Sequence, residues 1–216
     1  YMATPIMIVG ESGTGKSTSM RNLSPESTAI IQVINKPLPF KNNFKRRSQS
    51  NPQGTLMVTD SSDLISKAIL GFSKHGIKNI IIDDFQYLMA NEFMKRSEEK
   101  GFQKFTDIAK NAWSVIMTAQ SVPENSNIYF MTHSQVDDSG VTKAKTIGKL
   151  LDEKISLEGL FTMVLGSYRD NDGNYQLRTQ NNGSNTVKSP LGMFDSESID
   201  NDLEQVSLKI HQYYGE

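Results

Sequence analysis

Apolar residues in this 216-residue chain cluster in short, solid runs, at 6–9, 28–34, 77–84 and 127–133. Runs of this length without polar alternation fit strands buried on both faces, the habit of a parallel sheet. Residues 55–60 form a further short strand in the same reading. Between the runs the period lengthens. Leu64, Ile65, Ala68, Ile69 and Phe72 follow a serine- and aspartate-rich start and precede Gly76, which predicts a capped amphipathic helix. A helix is predicted at about 16–22, and residues 86–121 read as mainly helical with a break at Gly101. The Met and Phe residues between 85 and 117 are assigned to the core. Strands alternating with helices predict an α/β fold with a mainly parallel sheet flanked by helices.

The pattern changes after residue 160. "FTMVLGSYR", the turn "DNDGN" and "YQLRTQ" predict an antiparallel hairpin. A final helix from Asp200 places Leu203, Val206, Ile210 and Tyr213 on one face. Residues 35–54 show no period and are expected to be irregular. The length suits a single domain spanning 1–216.

One junction carries chemistry. The first apolar run leads directly into "GESGTGKST", and Gly10, Gly15, Lys16 and Ser17 fit the P-loop spacing G-x-x-x-x-G-K-[ST]. Glycines let successive N–H groups converge on one point, which makes an anion-binding nest. A helix behind the nest adds its positive end. Gly10, Ser12, Gly13, Thr14, Gly15, Lys16, Ser17 and Thr18 are therefore the candidates for holding nucleotide phosphates. Lys16 is expected to reach the β- and γ-phosphates, and the Ser17 hydroxyl to ligate Mg2+. ATP and Mg2+ are the expected ligands.

Such a site needs an acid for the ion. "IIIDD" at 80–84 ends a buried strand on two aspartates. Asp83 is the candidate metal ligand, and capping of the next helix is the competing reading. Asp84 is a candidate catalytic carboxylate that orients or deprotonates the attacking water. Its competing role is also a helix cap. Thr132 and His133 end the next strand at the edge where ligands bind in such sheets. His133 is therefore a candidate sensor of the γ-phosphate.

Formal net charge is -1, so any nucleic-acid contact has to be local. Lys41, Lys45, Arg46 and Arg47 are interleaved with Phe40 and Phe44, a pattern that suits single-stranded DNA, and a solvated loop is the competing reading. Lys143, Lys145 and Lys149 follow the sensor strand and form a second candidate DNA-contact segment. With no cysteine, a disulfide framework and a Cys-based zinc site are excluded. No apolar run approaches the ~20 residues of a membrane span, and no secretion signal is recognised. A cytoplasmic location is expected.

Taken together, the loop at 10–17, "IIIDD", "YFMTH" and the tail "VKSPLGMFDSESIDNDLEQVSLKIHQYY" resemble the phage-encoded RecA-like, AAA-domain nucleotide-binding proteins over nearly the whole chain. The resemblance implies a RecA-like P-loop NTPase core, ATP and Mg2+, and work on phage DNA in recombination, single-strand annealing or replication. It also implies homo-oligomers in the cytoplasm of an infected bacterium, with a DNA-binding loop after the sensor strand. Two departures stand out. Asn35 and Lys36 occupy the place where such enzymes carry an acid after the second strand. No arginine finger is placed by spacing; Arg169, Arg178 and Lys188 are candidates. The alternatives are a loader or helicase-type motor, a packaging ATPase, and a module that binds nucleotide without hydrolysing it.

Overall fold

The computed structural model describes residues 4–122 and 126–215. Strand β1 (Thr4–Gly10) lies inside a nine-stranded sheet. The others are β2 (Thr28–Gln32), β3 (Leu56–Val58), β4 (Asn79–Asp83), β5 (Asn127–Val136), β6 (Thr142–Ala144), β7 (Met163–Arg169), β8 (Tyr175–Arg178) and β9 (Ser198–Asp200). Their order is β3-β2-β4-β5-β1-β7-β8-β9, with β6 paired to β5. From β3 to β7 the pairing is parallel, and β8 is antiparallel to both of its neighbours, β7 and β9. The chain leaves β1 on one side and returns to its other side at β7. That reversal puts the crevice of an open α/β sheet beyond the carboxyl end of β1.

Both faces are covered, which is why the strands are solidly apolar. Met7, Val9, Ile31, Ile80, Ile82 and Phe130 pack against the helices α1 (Ser62–Lys74), α2 (Gln86–Lys95) and α3 (Gln103–Ser121). On the opposite face Ile6, Ile8, Ile30, Ile81 and Met131 meet Met20, Leu23 and α4 (Leu203–Tyr214). Helix α1 begins as its sequence predicts, with the Ser61 hydroxyl accepting from the Leu64 N–H at 3.4 Å. Helix α4 is tied to the sheet by Ser207, which meets the buried Tyr129 hydroxyl at 2.7 Å and donates to Asn79 at 2.6 Å. Its capping Asp202 accepts from Asn22 at 2.7 Å, and Arg21 donates to the Asn201 carbonyl. The segment behind the P-loop is thereby fastened to the C-terminal helix.

Several expectations are corrected. The helix at 16–22 is a single 3-10 turn, Ser17–Met20. Its run of hydroxyl side chains offers the backbone competing partners: Ser19 donates to the Lys16 carbonyl at 2.5 Å. The hairpin expected after residue 160 does form, as β7 and β8, and it extends the main sheet because β7 also pairs with β1 and β9 adds a further strand. The sensor strand continues to Val136 and folds back on β6, a second hairpin. On α4, Leu203, Val206 and Ile210 are buried, but Tyr213 is exposed and donates to the Leu191 carbonyl at 2.9 Å. Met94 and Phe102 lie on the surface rather than in the core.

Candidate nucleotide-binding site

The P-loop lies where β1 ends. A Cβ on Gly10 would fall 2.6 Å from the Ser167 carbonyl oxygen and 2.7 Å from Thr14 Oγ1, so β7 runs too close for any side chain. Gly15 has φ +91°, the left-handed region that favours glycine. The loop is latched to β7 by the Thr14 and Ser167 hydroxyls, 2.7 Å apart. Lys16 is buried, and its ammonium donates to the Gly10 carbonyl at 2.8 Å and the Glu11 carbonyl at 2.7 Å. Burial pulls its pKa down to about 8, against the opposing pull of Asp84 and Asp83.

Strand β4 delivers both acids. The Ser17 hydroxyl donates to Asp83 Oδ1 at 2.9 Å, while Oδ2 is buried without a hydrogen-bond partner. Burial, then the neighbouring Asp84, pushes the Asp83 carboxyl up to about 6. A hydroxyl and a carboxylate with an orphaned oxygen side by side suit a hard dication that takes its remaining ligands from phosphate and water. Among the described residues no group of three or more His, Asp or Glu gathers around an ion site, so the protein alone offers no complete cage.

Asp84 has φ +61°, and it is the one non-glycine with positive φ among the described residues. Such a conformation costs of order 1–3 kcal/mol and persists only where the surroundings impose it. Here it turns the carboxylate into the cleft, where it forms an ion pair with Lys36 and lies 3.8 Å from His133 Nε2. No side-chain cap is made at the start of α2. His133 stands beside Gly10 in the β1–β5 register, and Thr132 beside Val9. The His133 amide donates to the Gln86 side chain at 3.1 Å, and its ring meets Tyr87 edge-on at 6.1 Å. Burial and the nearby Lys16 hold its imidazole below the ordinary histidine range.

These groups line one cleft of about 300 Å³. Ser12, Gly13, Gly15, Lys16, Ser17, Thr18, Asp84 and His133 share it with Lys36, Pro37, Pro39 and Tyr175. Gly10 and Thr14 instead border a neighbouring cleft of about 690 Å³ that also holds Arg169 and Arg178. Those two arginines stack on Tyr175 and Tyr168 at 5.3 and 4.8 Å, and Tyr175 itself lines the nucleotide cleft. The Lys188 backbone bridges to Val164.

The basic segments fare differently. Phe44 is buried in the core, which overturns its reading as a stacking platform, and Phe40 is half-buried against the same cluster. Residues 45–47 are held along β3 by backbone hydrogen bonds to Leu56, and Arg47 lies over the Phe72 ring at 5.6 Å. Lys41, Lys45 and Arg46 are exposed. In the second segment the Lys145 amide, directly after β6, donates to the carbonyl of the cleft residue His133 at 2.8 Å, and Lys143 lies on β6 itself. Lys149 is exposed. Sequence reasoning missed Tyr175, whose ring a Gly15 Cβ would meet at 2.8 Å, and Ser167. Both are more than 150 positions from the loop, and no local signal links them.

A phosphate-binding loop beyond the first strand, an acid at the end of β4 with a second directly after it, and a sheet reversal at β1 define a P-loop NTPase. The chain belongs to the AAA domain family, which matches residues 2–191. No match is found among curated proteins. Among solved structures the chain is similar to the genome packaging NTPase B204 from Sulfolobus turreted icosahedral virus 2 in complex with ATP-gammaS. That likeness has 12% identity and a TM-score of 0.41, over 79% of this chain and 78% of the other. No helix among the described residues is long and apolar enough to cross a membrane.

Proposed function

We propose that this chain is a Mg2+-dependent ATPase, one RecA-like domain across 1–216, that acts as a homo-oligomer on phage DNA in recombination, single-strand annealing or replication. The observation that carries the ATPase reading is the convergence of Lys16, Ser17, Asp84 and His133 on one cleft at the end of β1, with the buried Asp83 hydrogen-bonded to Ser17 behind it. Lys16 and the loop amides bind the phosphates. Ser17 and Asp83 would hold Mg2+, which would supply charge neutralisation for the phosphates. Asp84 accepts a hydrogen bond from the attacking water, and His133 faces the same end of the cleft. The DNA part rests on Lys143 and Lys145 beside the cleft and on Lys41, Lys45, Arg46 and Arg47 at the β3 edge. The test is the rate of ATP hydrolysis with and without single-stranded DNA and Mg2+. Stimulation by DNA is expected.

One observation favours a second reading, a module whose nucleotide sets assembly without turnover. Lys36 holds Asp84 in an ion pair, which engages the carboxylate needed for water. Tight ATP binding with no phosphate release under any DNA condition would select this alternative.

A further inference from the structure

The cleft contains two ammonium groups, and the P-loop spacing accounts for one of them. Lys36 follows β2 at the point where the resemblance leads one to expect an acid. Its carbonyl accepts from the Gln32 side chain at 3.0 Å, and Pro37 restricts the backbone immediately after it. The main chain is therefore anchored, while the side chain remains 42% exposed and can reorient. Burial alone would lower its pKa. The hydrogen bond to Asp84 and the charges of Asp83 and Asp84 outweigh that, so the group stays protonated.

We propose that Lys36 is a phosphate ligand supplied by the same chain, reading the terminal phosphate of a bound nucleoside triphosphate. The inference rests on the nucleotide-site reading above and adds the residue that separates triphosphate from diphosphate. Three observations converge on it. Lys36 lines the same cleft as Gly15, Lys16 and Ser17. Its partner Asp84 follows directly on Asp83, which accepts from the Ser17 hydroxyl. Among the described residues Lys36 and Lys16 are the lysines that line this cleft and no arginine does, Arg169 and Arg178 lining the neighbouring one. Without nucleotide, the Lys36 ammonium neutralises Asp84. A third phosphate brings a denser negative charge to the same place and takes over the ammonium, leaving the Asp84 carboxylate free to accept from water.

The test compares Mg2+ with ATPγS and Mg2+ with ADP, by calorimetric titration of the full chain. The proteins are wild type, Lys36→Ala, Lys36→Arg, Asp84→Asn and the double variant Lys36→Ala/Asp84→Asn. A charge-assisted contact predicts at least tenfold weaker ATPγS binding in Lys36→Ala, with ADP within about twofold. Lys36→Arg should keep most of the preference for ATPγS. In the Asp84→Asn background Lys36→Ala should still weaken ATPγS, which separates contact with phosphate from an effect through Asp84. Melting curves without nucleotide verify that each variant is folded. Equal losses for both nucleotides, unchanged ATPγS binding, or an effect that vanishes in the Asp84→Asn background would each overturn the assignment. Wild-type protein that binds neither nucleotide overturns the nucleotide-site reading and this inference with it. Wild-type binding with no discrimination at Lys36 overturns this inference alone.

Discussion

The Ser17 hydroxyl donates to Asp83 Oδ1 at 2.9 Å, while the other oxygen of the same carboxylate is buried with no hydrogen-bond partner. An uncompensated buried carboxylate oxygen is costly. A bound dication would relieve that cost. Asp83→Asn should therefore weaken nucleotide binding in Mg2+ and leave binding in EDTA nearly unchanged. Titrations with and without EDTA measure this. An equal loss in both conditions would make Asp83 a structural residue.

Lys16→Ala should abolish nucleotide binding without unfolding the chain, because among the described residues the ammonium donates to two carbonyls of the loop itself. ATP at about a hundred times its Kd should stabilise the wild type by roughly 2.7 kcal/mol. For a chain of this size the melting shift is about 5–11 °C. Thermal denaturation should give that shift in the wild type and none in the variant.

Binding should have a pH window. Asp83 must be ionised to hold the ion, and its pKa in the nucleotide-free protein is raised to about 6. Lys16 must be protonated, and its pKa is lowered to about 8. Mg2+-ATP affinity should be level between these values and fall up to tenfold per pH unit beyond either. The sign for folding is opposite. A raised carboxyl pKa means the nucleotide-free fold gains stability from Asp83 as pH falls through 6 towards the ordinary carboxylate range. The two trends separate if melting and binding are both followed from pH 5 to 9. An acid limb in binding that is unaltered in Asp83→Asn would assign it to another group.

At Asp84 chemistry and stability should part. Asp84→Asn is expected to retain ATP binding and lose turnover, as measured by phosphate release. Asp84→Gly also loses turnover, but it relieves the positive-φ strain at φ +61° while removing the ion pair with Lys36. A pair with one partner 42% exposed contributes about 0–1 kcal/mol. The relief, of order 1–3 kcal/mol, should match or exceed that loss, so a denaturation curve should show no net destabilisation. Wild-type turnover in Asp84→Asn would reduce the residue to a structural role.

DNA contact, if local and electrostatic, has a salt signature. Each phosphate contact on a single strand contributes about -0.7 to the slope of log K against log salt, so neutralising Lys143, Lys145 and Lys149 should flatten it by roughly 2. Fluorescence anisotropy on an oligo-dT strand with ATP and Mg2+ reads this. Unchanged affinity and slope, there and for charge-neutralised variants of 41–47, would place DNA elsewhere. Phe44→Ala is expected to destabilise the fold rather than remove a stacking contact, since the ring is in the core.

What the sequence by itself determined was local. Solid apolar runs specify strands because both faces of this sheet are covered, and the glycine spacing at 10–15 specifies the loop because its backbone must turn tightly beside β7. Ser61 and Gly76 mark the ends of α1 through short-range hydrogen bonding and a left-handed turn. Aspartates after β4 were legible as candidates, since their neighbours in the chain set their place. The tertiary structure alone decided which distant groups meet. Lys36 and Asp84 follow β2 and β4 and His133 lies within β5, and only the β2-β4-β5-β1 order brings them to one cleft. Phe44 shows the same limit in reverse: beside four cations it reads as a surface platform, yet it is buried in one of the two core clusters. Pairing between strands and packing of layers are long-range interactions, and spacing along a chain carries no record of them until the sheet order is fixed.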